Sequence, residues 1–308
     1  MKPLASWNDG AAKSAIVDFV ARVTKKGAKS FVPKEARIAV FDNDGTLWCE
    51  KPLPIQNHFL LERMAEKAAE NPELREKQPW KAAFEKDFKW FDEVGTKHYN
   101  GDDSDLKVMG EGMIGAYAGE HADSFAVKAN RFLSRSKNPA LKRLYLESTY
   151  LPMCELLRYL ESKGFTNYIV SGGGRDFMRT VTQQLYDIPP ERVIGTTVAL
   201  EYRVKDGVGN IYHLPELEIF DDGPAKPVRI WSRIGARPVL VAGNSNGDLE
   251  MMEYVATGKR RSLCLLLKHD DHEREIAYDA SAEKALATAR EKKWTTISMR
   301  NDWKKVFA

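Results

Sequence analysis

Two carboxylates, Asp42 and Asp44, stand one residue apart directly behind the apolar run Ile38-Ala39-Val40-Phe41. Residues i and i+2 of an extended chain point to the same side, so both can converge on one ligand. Gly45 follows and frees the backbone to turn. Carboxylates this close repel, and at the end of a buried strand they need a cation or a proton between them. Such oxygen donors suit a hard divalent cation, and phosphate is the substrate that cation would serve. The competing reading is a polar strand end with an ordinary Asp-Gly turn.

Three further segments share this character. Ser171-Gly172-Gly173-Gly174 follows Tyr168-Ile169-Val170. It offers a hydroxyl, bare N–H groups that can approach a phosphate, and the dipole of a helix predicted from Arg175; a flexible connector would look similar. Lys226 opens a predicted helix behind Gly223-Pro224. There it can neutralise phosphate charge and steady a nucleophilic carboxylate, or it is a solvated surface lysine. Gly243-Asn244-Ser245-Asn246-Gly247-Asp248 follows Pro238 to Ala242. The Asn244 amide oxygen can face a hard cation, with Asp248 as a ligand or orienting one, while a helix N-cap explains the same polar run.

These segments need a frame. Ala11 to Val23 has helical spacing through Ile16, Phe19, Val20 and Val23. Ile38 to Phe41 lacks alternation, as a strand buried on both faces should. From Gln56 to Tyr145 the chain is rich in Ala, Glu, Lys and Leu. Leu60, Leu61, Met64, Ala65 and Ala68 predict one amphipathic helix there, and Trp80, Phe84, Phe88 and Phe91 a second whose aromatic stripe packs the insert. Asn100 to Ser104 predicts a loop that caps the next helix. Strands and helices then alternate. Leu151–Leu160 is predicted helical, Tyr168–Val170 a strand, Arg175–Leu185 helical, and Val193–Val204 with Ile211–Leu214 a hairpin turning at Lys205-Asp206-Gly207. Ala225–Ile234 and Asp248–Val255 are predicted helices around a strand at Pro238–Ala242, with a last strand at Ser262–Leu267. This order predicts an α/β fold: a Rossmann-like parallel sheet core with helices on both faces, plus an inserted, mainly helical cap domain. The expected division is residues 1–52 and 149–308 for the core and 53–148 for the insert.

Composition narrows the class. The chain has 308 residues, 43% of them apolar, and a net charge of +3. That supports a sizeable core and argues against disorder, nucleic-acid binding or a charged membrane surface. No apolar run reaches the length of a membrane span. Cys49, Cys154 and Cys264 are scattered and odd in number, which predicts three reduced thiols in a cytoplasmic protein. The first ten residues lack the apolar stretch of a secretory signal. Oligomeric state leaves no trace in the sequence.

The four segments, in this order, resemble the haloacid dehalogenase superfamily, in its phosphoserine-phosphatase-like branch, from about Arg37 to Leu267. The resemblance implies a magnesium-dependent hydrolase of a small phosphomonoester, with Asp42 as nucleophile and Asp44 as acid and base. It implies that Asp42, the Asp44 carbonyl and Asn244 hold Mg2+, with Asp248 in reserve. Ser171, Gly172, Gly173, Thr46 and Lys226 would hold the phosphoryl group, and the helical insert would be the mobile cap. Both aspartates separate the chain from dehalogenases, which use one. Asn244 departs from the aspartate usual in the family and removes a charge from the metal site. A phosphotransferase or phosphomutase, or a phosphate-binding regulatory protein of low turnover, stays open. Specificity is expected from the insert and from Trp48-Cys49-Glu50-Lys51. Phosphoserine phosphatases carry a glutamate where this chain has Lys51. Trp48 and Glu50 suit either an amine ligand or a packed Trp beside a solvated Glu. Lys268 to His272 is expected as a polar loop at the pocket mouth, in preference to a second metal site.

Overall fold

All four residues of β1 (Ile38–Phe41) are buried, and the reason is visible in the packing. Ala39 and Phe41 join one hydrophobic cluster, and Val40 joins another. A strand's alternation divides its side chains between the two faces of a sheet, so each face of β1 has its own core. The same division runs through β5 (Leu240–Gly243) and β6 (Leu263–Lys268): Leu240, Ala242, Leu265 and Leu267 go one way, and Val241, Cys264 and Leu266 the other. The helices Ala11–Thr24 and Leu151–Ser162 supply the first cluster; Ala225–Ile234, Leu249–Ala256 and Glu283–Glu291 supply the second.

The computed structural model describes residues 4–99, 102 and 104–308. They form two compact units. The first comprises Met1–Pro52, Leu133–Thr196 and Phe220–Ala308. Its parallel sheet has the order β3-β2-β1-β5-β6-β7, where β2 is Thr166–Gly174, β3 starts at Val193 and β7 is Thr295–Ser298. The chain builds outward from β1 to β3 on one side and from β5 to β7 on the other. The switch between β1 and β5 is where such sheets open a crevice at their carboxyl ends.

The second unit, Leu53–Phe132 with Thr197–Ile219, is mainly helical and ends in a hairpin. The remainder of β3 (Val193–Lys205) pairs antiparallel with β4 (Val208–Ile219) around Asp206 and Gly207, both at positive φ. Phe125 packs against Phe59, Tyr117 and His213 at centroid distances of 5.6, 4.8 and 5.0 Å. This division differs from the expected one: residues 133–148 group with the sheet and the hairpin groups with the helices.

Several elements correct the expected boundaries. The helix drawn through Trp80 and Phe91 is two helices, Trp80–Glu85 and Phe88–Tyr99, because Lys86 adopts a left-handed conformation with φ 58°. Phe84 is 39% exposed, and Trp80 and Phe91 are only partly buried, whereas Phe59, Tyr117 and Phe125 are buried in this unit's core. Of the loop expected at 100–104, residues 100, 101 and 103 lie outside the described residues; the Ser104 amide donates to Asp102 Oδ1 at 3.0 Å. The helix expected over Arg175–Leu185 breaks into Arg175–Met178 and Thr182–Tyr186. Thr180, Val181 and Thr182 are consecutive β-branched residues, poor material for a helix interior. β7 extends the sheet beyond the last predicted strand.

Candidate active site

The backbone pairing of β1 continues one step, with the Asp42 amide donating to the Ala242 carbonyl at 2.9 Å. This anchors the Asp42 side chain at the carboxyl end of β1. Lys226, in the first turn of Ala225–Ile234, is only 2% exposed. Its ammonium donates to Asp42 Oδ1 at 3.0 Å and to Asp248 Oδ1 at 2.6 Å. Burial opposes the Lys226 charge, but Asp248 and Asp42 outweigh it and hold the amine above its ordinary value. It is a fixed cation between two carboxylates, not a solvated surface lysine. Burial drives the Asp42 carboxyl well above the usual carboxylate range against the pull of Lys226, with Asp248 and Asp44 adding to the rise.

Asp44 sits in a turn that Gly45 makes possible. Gly45 has φ +74°, a conformation costly for side-chain-bearing residues. The Gly45 amide donates to the Trp48 carbonyl at 2.8 Å and the Leu47 amide to the Asn43 carbonyl at 2.8 Å. This tight loop brings the Trp48 indole back over Asp44, where Nε1 donates to Oδ1 at 2.8 Å. Ser171 Oγ lies 3.5 Å from Asp44 Oδ2. Burial pushes the Asp44 carboxyl up to about 6, against the Trp48 hydrogen bond and with the charge of Glu50 adding to the rise. A carboxyl with that value exchanges protons near neutrality, which general acid–base work demands.

Asn244 is 2% exposed at the end of β5. Its Oδ1 accepts from Thr46 Oγ1 at 3.1 Å. Asp248 spends both oxygens inside the protein: Oδ1 on Lys226, and Oδ2 on the amides of Asn244 and Ser245, each at 2.9 Å. The polar run is therefore a capping box and part of the site at once. Asp248 thus orients Lys226 and the backbone at the end of β5. Thr46 differs from expectation as well. Its hydroxyl is given to Asn244, its amide donates to the Asn43 carbonyl at 3.1 Å, and it is fully buried. It braces the turn, with neither group free for a phosphate.

The glycine run also departs from the expected open loop. β2 continues through Gly174, with a bulge between Ser171 and Gly174. Ser171 pairs in register with Gly195 just before the bulge, and the Gly173 amide donates to Ser171 Oγ at 3.1 Å. The helix that follows is a single turn, Arg175–Met178, too short for the predicted dipole to carry weight. Ser171 faces Asp44; Gly172 and Gly173 form the bulge behind it.

Tyr278 had no motif to announce it, and it joins Glu50 and His269 from the two segments expected near the pocket. Glu50 Oε1 accepts from Asn244 Nδ2 at 3.0 Å and from the Tyr278 hydroxyl. Tyr278 stacks on His269 with centroids 4.3 Å apart. His269 Nε2 donates to the Gly45 carbonyl at 2.8 Å, and its Nδ1 lies 3.3 Å from Glu275 Oε2. The segment expected at the pocket mouth thus supplies a buried clamp on the turn. His269 is 3% exposed. Trp48 is packed rather than open, edge-on to Phe177 at 6.4 Å. All three cysteines are buried and free, and burial pushes the Cys49 thiol up to about 12.

The oxygen donors that could hold a cation are the Asp42 carboxylate, the Asp44 carbonyl and Asn244 Oδ1. Among the described residues no three His, Cys, Asp or Glu side chains gather as a metal-binding group. The set is thus one carboxylate with neutral oxygens, which fits a hard cation of the magnesium kind.

The sheet, the carboxylate pair on its central strand and the buried lysine define an architecture with relatives. A family model described as haloacid dehalogenase-like hydrolase matches residues 39–253, more than half of the chain. The chain belongs to the haloacid dehalogenase-like hydrolase family. Among solved structures it is similar to a conserved functionally unknown protein from Anaerococcus prevotii DSM 20548, at 17% identity and a TM-score of 0.59, covering 97% of this chain and 94% of that one. A protein of unknown function from Bordetella pertussis Tohama I follows at 15% identity and a TM-score of 0.55, covering 85% and 97%. Identities this low speak for the fold alone. No curated protein matches the sequence. No described helix is long and apolar enough to cross a membrane.

Proposed function

We propose that this haloacid dehalogenase-like hydrolase is a magnesium-dependent phosphatase of small phosphomonoesters, in the phosphoserine-phosphatase-like branch. The observation that carries the reading is the buried Lys226 ammonium, bonded to Asp42 and Asp248, with Asp44 near neutrality beside it. A carboxylate approaches a phosphate dianion only where positive charge cancels the repulsion, and phosphoryl transfer is chiefly positioning and neutralisation. Lys226 is a positive charge already in place.

In this reading an Asp42 oxygen attacks phosphorus and the bond to the ester oxygen breaks. Asp44 gives its proton to that leaving oxygen. Asp44, now a carboxylate, takes a proton from water, and the water oxygen attacks phosphorus to release phosphate and restore Asp42. Ser171 faces the transferring group from β2. Magnesium, held by Asp42, the Asp44 carbonyl and Asn244, would add the remaining neutralisation of phosphoryl charge. The mainly helical unit is read as the cap that selects substrate.

The test is turnover of a panel of small phosphomonoesters with and without Mg2+, and again with Asp42→Asn. Mg2+-dependent phosphate release that Asp42→Asn abolishes is expected. Near-normal rates in Asp42→Asn would exclude the covalent route. Transfer to an added alcohol in preference to water would make the protein a phosphotransferase. Ligand binding without turnover would make it a binding protein.

A further inference from the structure

An asparagine in a cation site has a problem that an aspartate lacks. Its two ends differ: one is an oxygen a cation accepts, the other an N–H that repels it. A neutral amide also carries no charge to hold a dication. The residues around Asn244 address both difficulties.

Nδ2 of Asn244 lies 3.0 Å from Glu50 Oε1 and 3.4 Å from the Tyr278 hydroxyl. A carboxylate only accepts, and the single O–H of Tyr278 is given to Glu50, so both neighbours accept from Nδ2. On the other side, Thr46 Oγ1 donates to Oδ1. Three partners thus agree on one orientation of the amide. They do so in a confined space, since a Cβ on Gly45 would fall 2.1 Å from Asn244 Nδ2 and 2.7 Å from Glu50 Oε1. Glu50 is itself seated: Tyr278 donates to it, His269 stacks under Tyr278, and Lys51 Nζ stands 4.9 Å from the Tyr278 ring centroid. The same His269 holds the Gly45 carbonyl, so Glu50, Asn244 and the turn after Asp44 share one support.

We propose that Glu50 is a positioning residue for the cation site: seated by Tyr278, it turns the Asn244 amide oxygen toward the donor set and places a carboxylate charge one hydrogen bond behind it. Outer carboxylates of this kind orient a ligand and make it a stronger donor. The amide at 244 and the carboxylate at 50 then act as a pair whose members are interchangeable only together. This rests on the magnesium site of the proposed function.

The experiment is Mg2+ binding by titration calorimetry to the full chain, with the Mg2+-dependent rise in melting temperature as a second readout. Glu50→Gln keeps the shape and removes the charge, and should weaken Mg2+ about ten-fold or more, within the range found for outer partners of metal ligands. Asn244→Asp alone sets two carboxylates in contact with no hydrogen between them, and should also disturb binding. The double variant, Glu50→Gln with Asn244→Asp, exchanges amide and carboxylate and should return affinity toward wild type. Circular dichroism and melting in EDTA establish that each variant folds. Unchanged Mg2+ affinity in folded Glu50→Gln would overturn this inference alone. So would a double variant whose loss is the sum of the two single losses. A wild-type protein that binds no Mg2+ would overturn the proposed function and the inference with it.

Discussion

Replacing Trp48 by phenylalanine deletes the donor that Asp44 Oδ1 accepts at 2.8 Å and leaves an aromatic ring in the buried slot beside Phe177. The bond favours the ionised carboxylate, so its loss moves the Asp44 pKa further up from about 6. A hydrogen bond to a charged group contributes about 1.5–3 kcal/mol, and about 1.4 kcal/mol corresponds to one pKa unit. The rise is therefore about one to two units. Asp44 must be protonated to donate to the leaving oxygen, so kcat/KM falls as pH rises through its pKa. The assay is a pH profile of kcat/KM for wild type and Trp48→Phe on one phosphomonoester. The alkaline limb should move to higher pH by about one to two units. Glu50→Gln provides the opposite sign, because Glu50 raises the Asp44 pKa and removing its charge moves the limb down. A limb that stays in place in folded, active Trp48→Phe refutes the role given to Asp44 and to the bond from Trp48.

Lys226→Met leaves Asp42 and Asp248 buried without their cation. Removing one partner of a buried pair costs about 3–5 kcal/mol, so urea unfolding should shift by that amount and turnover should be lost. Asp221 is fully buried, and neither carboxylate oxygen has a hydrogen-bond partner among the described residues. Burial raises its carboxyl from 3.8 to about 6. The folded state then binds the proton more tightly, so this group lowers stability as pH rises from about 4 to 6 and holds that cost above; the two-unit shift corresponds to about 3 kcal/mol at most. Asp221→Asn should melt higher than wild type at pH 8, with the gap closing toward pH 4; an equal gap at both pH values would show that the carboxyl does not titrate there. Gly45→Ala sets a Cβ 2.1 Å from Asn244 Nδ2 at φ +74°. It should lose more than the roughly 1–2 kcal/mol of a left-handed residue, and its melting temperature checks this.

Much of the frame was legible because local patterns and tertiary demands agree. Ile38 to Phe41 reads as a doubly buried strand and is one. The Ala225–Ile234 helix and the Asp206-Gly207 turn stand where helical spacing and turn chemistry put them. Elsewhere tertiary context overrides local pattern. Ser171-Gly172-Gly173-Gly174 looks like a loop, but β3 pairs with it and holds it as a bulged strand end. The aromatic spacing from Trp80 to Phe91 was real, yet one left-handed residue at Lys86 divides it. β7 and the helix Glu283–Glu291 lack the long apolar runs that mark a strand or helix in isolation, and neighbours supply their burial.

The chain alone determined which groups are present and that a doubly buried strand ends directly before Asp42, because an apolar run without alternation marks such a strand; the turn at Gly45 places Asp44. It could not determine which polar groups are already satisfied. Thr46 and Asp248 look like ligands in the sequence, but folding gives their atoms to Asn244, Lys226 and backbone amides. Glu50 and His269 stand in segments expected near the pocket and Tyr278 in none, but only the fold carries their partners together at the turn at Gly45. Hydrogen-bond partnership between residues so far apart in the chain is decided only when the sheet closes.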